Sequence, residues 1–331
     1  MRKLASIQRI VKLEPIPKAD AILKATVLGW QLVVRKDEFQ EGDLCVYVEI
    51  DSVLPERPEF EFLRARSNRV RTIRLRGQIS QGVCFPLSIL PEEINREEGL
   101  DVTDLLGITK YEPPIPAQLA GVMKGGFPSF IPKTDETRVQ VLGDLLEKYQ
   151  GEPCFVTEKL DGSSVTYFLK DGQFGVCSRN MELEPSDDNS FWKVAKELDV
   201  EAKLRSLGQN LAVQGELIGE GIQKNKYRLR GQTVRFFNVF DIDAYQYLGY
   251  PSFRETLDRL DLPAVPILDD QFALRADINS LVELAAGGSV LRQETQREGI
   301  VIRPHIEKMD QLGRVSFKAI NPKFLLKFED A

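Results

Sequence analysis

Residues 157–167, TEKLDGSSVTY, set Lys159 two positions ahead of an Asp161-Gly162 turn, in a stretch that otherwise alternates like a strand. A lysine at a strand end is partly desolvated by the flanking sheet faces. Desolvation favours the neutral amine, the form able to attack phosphorus. The motif is weak evidence on its own, so its company matters. Downstream, in order, stand Arg179 in SRN, Glu216 in QGELIG, Phe237 in FFNVFDI, Glu298 in REGIVIR and Lys318 in SFKAI. Each has an ordinary reading when taken singly: Glu216 as an exposed strand residue, Phe237 as core, Lys318 as a solvent-facing lysine alternating with Phe317 and Ala319.

The elements that must carry these residues fall into two groups. Residues 1–110 hold short β-branched runs, ATVLGWQLVVR, DLCVYVEIDSVL, RVRTIRLRGQ and GVCFPLSIL, punctuated by Gly and Pro, with a short helix-like piece at EEINREEG. That pattern suits a small OB-fold β-barrel. Residues 111–130, heavy in Pro and Gly, read as a linker. From 131 to 331 the pattern becomes α+β with mainly antiparallel sheets flanked by helices. A helix is expected near Thr134 or Asp135, which would cap it, and others at FWKVAKELDVEAKLRSL, SFRETLDRLD and INSLVELAAG. Strands are expected at LAVQGELIG, VRFFNVFDID, GIVIRP and RVSFKAI.

Composition narrows the chemistry. The chain has 331 residues, 42% hydrophobic and 28% charged, enough for real cores in two or three domains. It shows no signal peptide and no run of eighteen apolar residues, so a cytoplasmic location is the default expectation. Four dispersed cysteines with no CxxC and a single histidine, His305, argue against structural zinc and most histidine-based catalysis. The net charge of −6 argues against a generic polyanion binder. Locally the sign reverses: RARSNRVRTIRLR carries Arg64, Arg66, Arg69, Arg71, Arg74 and Arg76, either a charge-protected edge strand or a phosphate-tracking face.

Six short motifs in this order, EKLDG, SRN, QGELIG, FFNVFDI, REGIVIR and SFKAINPKFLLK, resemble those of the covalent nucleotidyltransferases, the superfamily of ATP-dependent ligases and mRNA capping enzymes. The resemblance covers residues 130–328. Only thirteen residues follow Lys318 (331 minus 318), so no OB domain is expected after the last motif, and the expected barrel comes first instead. With PKTDETRVQ at the domain entrance and GEGIQKNKYRL after the Glu216 motif, the chain resembles the ATP-dependent RNA ligases of the fifth family, the Deinococcus and Naegleria type.

The resemblance implies a nucleotidyltransferase domain of the ligase adenylation, ATP-grasp-like kind and an RNA ligase that joins 3′-OH and 5′-phosphate ends through AMP held covalently on Lys159. It implies Lys159, Asp161, Glu216, Glu298 and Lys318 as catalytic residues. Asp161, Glu216 and Glu298 would hold Mg²⁺ or Mn²⁺, largely through its waters, and Lys318 would touch phosphate. Glu158 and Lys159 would offer main-chain contacts to adenine, Phe237 would stack on it, and Arg179 would meet ribose or phosphate. RNA would follow Arg69, Arg71, Arg74 and Arg76, with Lys224 and Lys226 as a second contact loop. The implied partner is RNA, nicked duplex foremost, bound by a monomer with no membrane attachment. A capping-like transferase and a catalytically silent RNA-binding protein on the same scaffold are the alternative functions. Two positions depart from related motifs: Ser164 stands where phage-type ligases have asparagine, and Ile320 where a second lysine is usual, with Lys323 or Lys327 as substitutes from the same strand end.

Overall fold

A computed structural model describes residues 2–112 and 122–328. Two compact units emerge. The first comprises Met1–Pro114 with Gln140–Gly143 and Pro322–Ala331, and the second comprises Ile115–Val139 and Asp144–Asn321. The division by sequence pattern at 110 and 130 therefore differs from the spatial one at both ends of the second unit. Of the 111–130 segment, residues 113–121 lie outside the described residues. Its remainder includes a strand, Met123–Gly126, paired with Met181–Leu183.

In the first unit, Ala5–Ile16 is the central strand of a five-stranded antiparallel sheet, flanked by Ala19–Val27 and Trp30–Arg35 on one side and Leu44–Val48 and Val83–Phe85 on the other. Alternating Ile7, Val46, Val48, Ala25, Val27, Trp30 and Leu32 are buried, so the strands curl around an apolar interior as an OB-like barrel requires. The piece at residues 92–99 forms turns rather than a helix. Its charged, glycine-ended sequence offers no apolar stripe to bury.

The second unit is built on two sheets. A seven-stranded sheet runs Met123–Gly126, Met181–Leu183, Gln173–Cys177, Ser163–Lys170, Leu211–Gly219, Gln232–Asp241, Gln246–Tyr247. A five-stranded sheet runs Thr137–Arg138, Phe317–Ile320, Gly299–Pro304, Pro153–Lys159, Ile267–Ala273. The larger sheet buries one face, with Val165, Tyr167, Val213, Leu217, Val234 and Phe236, against the helices Ser190–Glu197, Val200–Leu207 and Tyr250–Arg259. The first two of these helices read as one continuous run by periodicity; Asp199 in the left-handed conformation separates them.

The Asp161-Gly162 turn carries the chain from Pro153–Lys159 in the smaller sheet to Ser163–Lys170 in the larger. One further difference from expectation has a clear cause. Thr134 and Asp135 begin no helix, because their side chains are committed elsewhere, to Ser164 at 2.9 Å and to Arg179. The helix starts later, at Gly143–Lys148.

One glycine shows how tightly the barrel closes. At Gly82 the backbone is left-handed (φ +112°), and a Cβ would lie 2.4 Å from the Tyr47 ring. That ring is buried, its hydroxyl donating to the Gln81 carbonyl at 2.9 Å. Gly82→Ala is expected to cost about 1–3 kcal/mol in chemical denaturation, through overpacking and backbone strain; a loss under about 0.5 kcal/mol would show that the ring can move aside.

Candidate active site

Lys159 ends its strand directly opposite Gly299, and this register sets Glu298 beside it. The Lys159 Nζ donates to Glu298 Oε1 at 2.6 Å; the two side chains are 27% and 14% exposed. A larger residue at 299 would fail, since its Cβ would meet the Ala319 carbonyl at 2.3 Å. In the next row of the same sheet, Thr157 pairs with Val301, Val301 with Lys318, and Lys318 with Arg138 in parallel. Pairing and alternation therefore set Lys159, Lys318 and Arg138 on one face.

The larger sheet supplies Glu216. Ser164, Glu216 and Arg235 form one cross-strand row, on the face opposite the main core. The crossover turn brings this row to Lys159. Gly162 N–H donates to Glu216 Oε1 at 3.0 Å, and Gly162 lies so close that a Cβ would meet the Leu217 carbonyl at 2.3 Å. Asp161, between them, holds an ion pair with Lys226, and its backbone N–H donates to the Tyr227 hydroxyl at 2.7 Å.

Electrostatics follow from this crowding. Burial works to neutralise Lys159, but the carboxylates of Glu298, Glu216 and Asp161 outweigh it and hold the ammonium above its ordinary pKa. The desolvation argument from sequence is thereby reversed: the counter-charges, invisible to a local reading of EKLDG, decide. Burial pushes Glu216 up to about 8, with Glu298 and Asp161 adding to the rise against the pull of Lys159. Burial likewise raises Glu298. Lys318 moves the other way, down to about 7, because burial and then the Arg138 and Lys159 cations disfavour its charge. A phosphate beside Lys318 and Arg138 would relieve that strain.

The residues fit a divalent cation held through its water shell. Among the described residues no three acidic, histidine or cysteine side chains converge as a direct ligand set. Yet three carboxylates crowd one lysine, and Glu298 Oε2 is buried without a hydrogen-bond partner. Hydrated Mg²⁺ or Mn²⁺ suits such a site.

Phe237 sits at a β-bulge. Gly215 pairs with Phe236 and Gln214 with Asn238, leaving Phe237 as the extra residue. The bulge explains the double phenylalanine. Phe236 stays in the main core, whereas Phe237 turns to the opposite face and packs, half-buried, by Leu160, Ile218, Tyr227 and Val265. Phe240, beyond the bulge, is buried in a separate cluster. The bulge therefore gives Phe236, Phe237 and Phe240 three different surroundings.

The remaining residues divide. Glu158 is buried, its Oε2 accepting from Val290 N–H at 2.8 Å and its own N–H committed to the Pro266 carbonyl at 2.9 Å, so that amide is not open to a ligand. Arg179 is half-exposed and pairs with Asp135. Lys226 turns inward to Asp161, and Arg69 pairs with Asp51 at 2.8 Å and lies 3.7 Å from the Tyr111 ring centroid. Arg74, Arg76 and Lys224 are exposed, and Arg71 is half-buried. Lys323 and Lys327 belong to a helix, Pro322–Phe328, rather than to the strand of Lys318, and that helix clusters with the first unit. Sequence reasoning missed Arg138, whose signal was the basic residue in TDETR, and the Arg303–Glu136 pair at 2.9 Å, which ties that segment to the smaller sheet. Arg303 also donates to Ser316 Oγ at 2.9 Å and to the Phe237 carbonyl at 3.2 Å.

A fold with a lysine at the joint of two such sheets and an OB-like barrel before it defines a nucleotidyltransferase-type ligase. A family model for RNA ligase matches residues 152–320, and one for an OB-fold domain matches residues 4–87. No curated protein matches. Among solved structures, an alanine variant of Naegleria gruberi RNA ligase without ligand is 40% identical, with a TM-score of 0.92, covering 100% of this chain and 99% of that one. A lysine-to-alanine variant of that enzyme with ATP and Mn has the same identity and score over 99% and 100% of the two chains. The same ligase with PPi matches at 40% and 0.92 over the full length of both. The chain belongs to the RNA ligase family, and it is an enzyme of that class.

Two outcomes test the electrostatics. Glu298→Gln removes the nearest counter-charge, so the pH at which Lys159 reacts with acetic anhydride, followed by mass spectrometry, should fall below the wild-type value; an unchanged profile would contradict the ion pair. Lys318 pays for its charge fully below pH 7, and the cost fades as pH rises toward 10.5. Lys318→Met should accordingly raise the melting temperature at pH 6, with the gain shrinking above pH 7.

Proposed function

We propose that this protein is an ATP-dependent RNA ligase that joins RNA 3′-OH and 5′-phosphate ends through a lysyl-AMP intermediate. The observation that carries this reading is the Lys159 amine at the crossover between two sheets, 2.6 Å from Glu298, with Glu216 and Asp161 contributing charge and Lys318 and Arg138 on the adjoining row. Lys159 attacks the α-phosphorus of ATP and pyrophosphate leaves. AMP then passes to the RNA 5′-phosphate, and the 3′-hydroxyl displaces it to form the phosphodiester. The relative's complexes with ATP and Mn, and with PPi, support ATP as the reactant and a site that accommodates pyrophosphate.

Each side chain has a task. Glu298 Oε1, already accepting a hydrogen bond from Nζ, receives the proton that Lys159 must shed, and burial makes it a stronger acceptor than an exposed glutamate. Lys318 and Arg138 meet phosphate oxygens; Phe237 offers its half-buried ring to adenine. Mg²⁺ or Mn²⁺ at Asp161, Glu216 and Glu298 supplies positive charge that favours the neutral amine and offsets charge on the phosphates. Exposed Arg74, Arg76 and Lys224 are the proposed RNA contacts, with nicked duplex as substrate, a monomer as the working form and the cytoplasm as location. No described helix is long and apolar enough to cross a membrane.

The test is to incubate the protein with ATP labelled at the α-phosphate and Mg²⁺ or Mn²⁺, then denature it. An acid-labile label that GTP does not give and Lys159→Ala abolishes is expected, followed by sealing of a nicked RNA duplex. Absence of label, with mass spectrometry showing an unmodified Lys159, would favour the silent binding protein; label from GTP alone would favour the capping-like transferase.

A further inference from the structure

The loop between the Leu211–Gly219 and Gln232–Asp241 strands is built at visible cost. Four non-glycine residues within six positions, Gln223, Lys224, Asn225 and Arg228, adopt left-handed backbone with φ of 44–60°. Such conformations persist only where surrounding contacts impose them. Here Asn225 Nδ2 donates to the Leu229 carbonyl at 2.8 Å, and its Oδ1 accepts from Leu229 N–H at 3.0 Å. Thr295 Oγ1 donates to the Lys226 carbonyl at 2.9 Å, and Tyr227 is buried with Leu160, Ile218 and Val265.

The result is that two consecutive residues reach Asp161 together. Lys226 Nζ pairs with the Asp161 carboxylate, the side chains only 12% and 18% exposed, while the Tyr227 hydroxyl accepts the Asp161 N–H at 2.7 Å. Lys159 is already engaged by Glu298, and Lys318 lies in the row of Arg138. Among the described residues, Lys226 is the cation in direct contact with the Asp161 carboxylate.

We propose that Lys226 is a positioning residue acting through Asp161: it is the site's internal counter-cation, holding the carboxylate in place and competing with the divalent ion for it. The inference rests on the proposed metal role of Asp161. Its consequence is that metal affinity is held down by design of the loop, so that the ion binds firmly only when phosphate adds its own negative charge. Lys226 is thus part of the site rather than of an RNA-facing surface.

The test is Mn²⁺ binding to the free protein, read from the loss of the free-ion electron paramagnetic resonance signal, without ATP. Lys226→Met keeps the chain length and removes the charge; it should bind Mn²⁺ about tenfold more tightly than wild type. Lys226→Arg should match wild type, and the gain should vanish when Asp161→Asn is combined with Lys226→Met. Circular dichroism melts confirm that each variant is folded. Equal or weaker Mn²⁺ binding by folded Lys226→Met, with wild-type labelling of Lys159 still metal-dependent, would overturn the role of Lys226 alone. Labelling of wild-type Lys159 in excess EDTA would instead overturn the metal reading on which it rests.

Discussion

The arrangement of the second unit depends on one electrostatic condition: three carboxylates and three lysines are compressed into the joint between two sheets. Asp161, Glu216 and Glu298 would repel one another if left alone, and Glu216 shows the strain in a pKa raised to about 8. Lys159 and Lys226 each answer one of these acids. Lys318, by contrast, is pressed against Arg138 and Lys159 and is driven toward neutrality. The charges around Lys159 are thus uneven, with carboxylates crowded at Glu216 and cations crowded at Lys318. That asymmetry matches a reactant that is a polyphosphate accompanied by a divalent cation.

The backbone meets this condition with close approaches instead of bulky side chains. Gly162 and Gly299 lie where a Cβ would strike the carbonyl of Leu217 or Ala319. Their bareness lets the strands near Lys159 come together and lets a main-chain N–H reach Glu216. Around them a segment from Lys133 to Arg138 spans both sheets. Lys133 and Asp135 bind Asn180 and Arg179, Thr134 contacts Ser164, Glu136 pairs with Arg303, and Arg138 lies alongside Lys318.

Much of this was legible in the sequence. Leu211–Gly219 and Gly299–Pro304 have the bounds that their apolar runs suggest, because both are buried strands whose pattern is set by packing alone. The membership in the RNA ligase family was legible from the order of short motifs. What escaped depended on contacts distant in sequence. Thr134 looks like a helix cap until Ser164, thirty positions away, claims its hydroxyl. Lys226 looks like a loop cation until Asp161 is found beneath it. The bulge at Phe237 cannot be read from FFNVFDI, since only the register against Gly215 and Gln214 reveals the extra residue.

The crossover at Leu160, Asp161 and Gly162 has a mechanical meaning beyond its chemistry. Rotation of one sheet against the other displaces each atom in proportion to its distance from the axis, and this crossover is the shortest passage the chain makes between them. Lys159 sits next to that passage and Glu216 is bonded to it through Gly162. A relative rotation centred on this short passage would leave the nucleophile and its neighbouring acid nearly stationary.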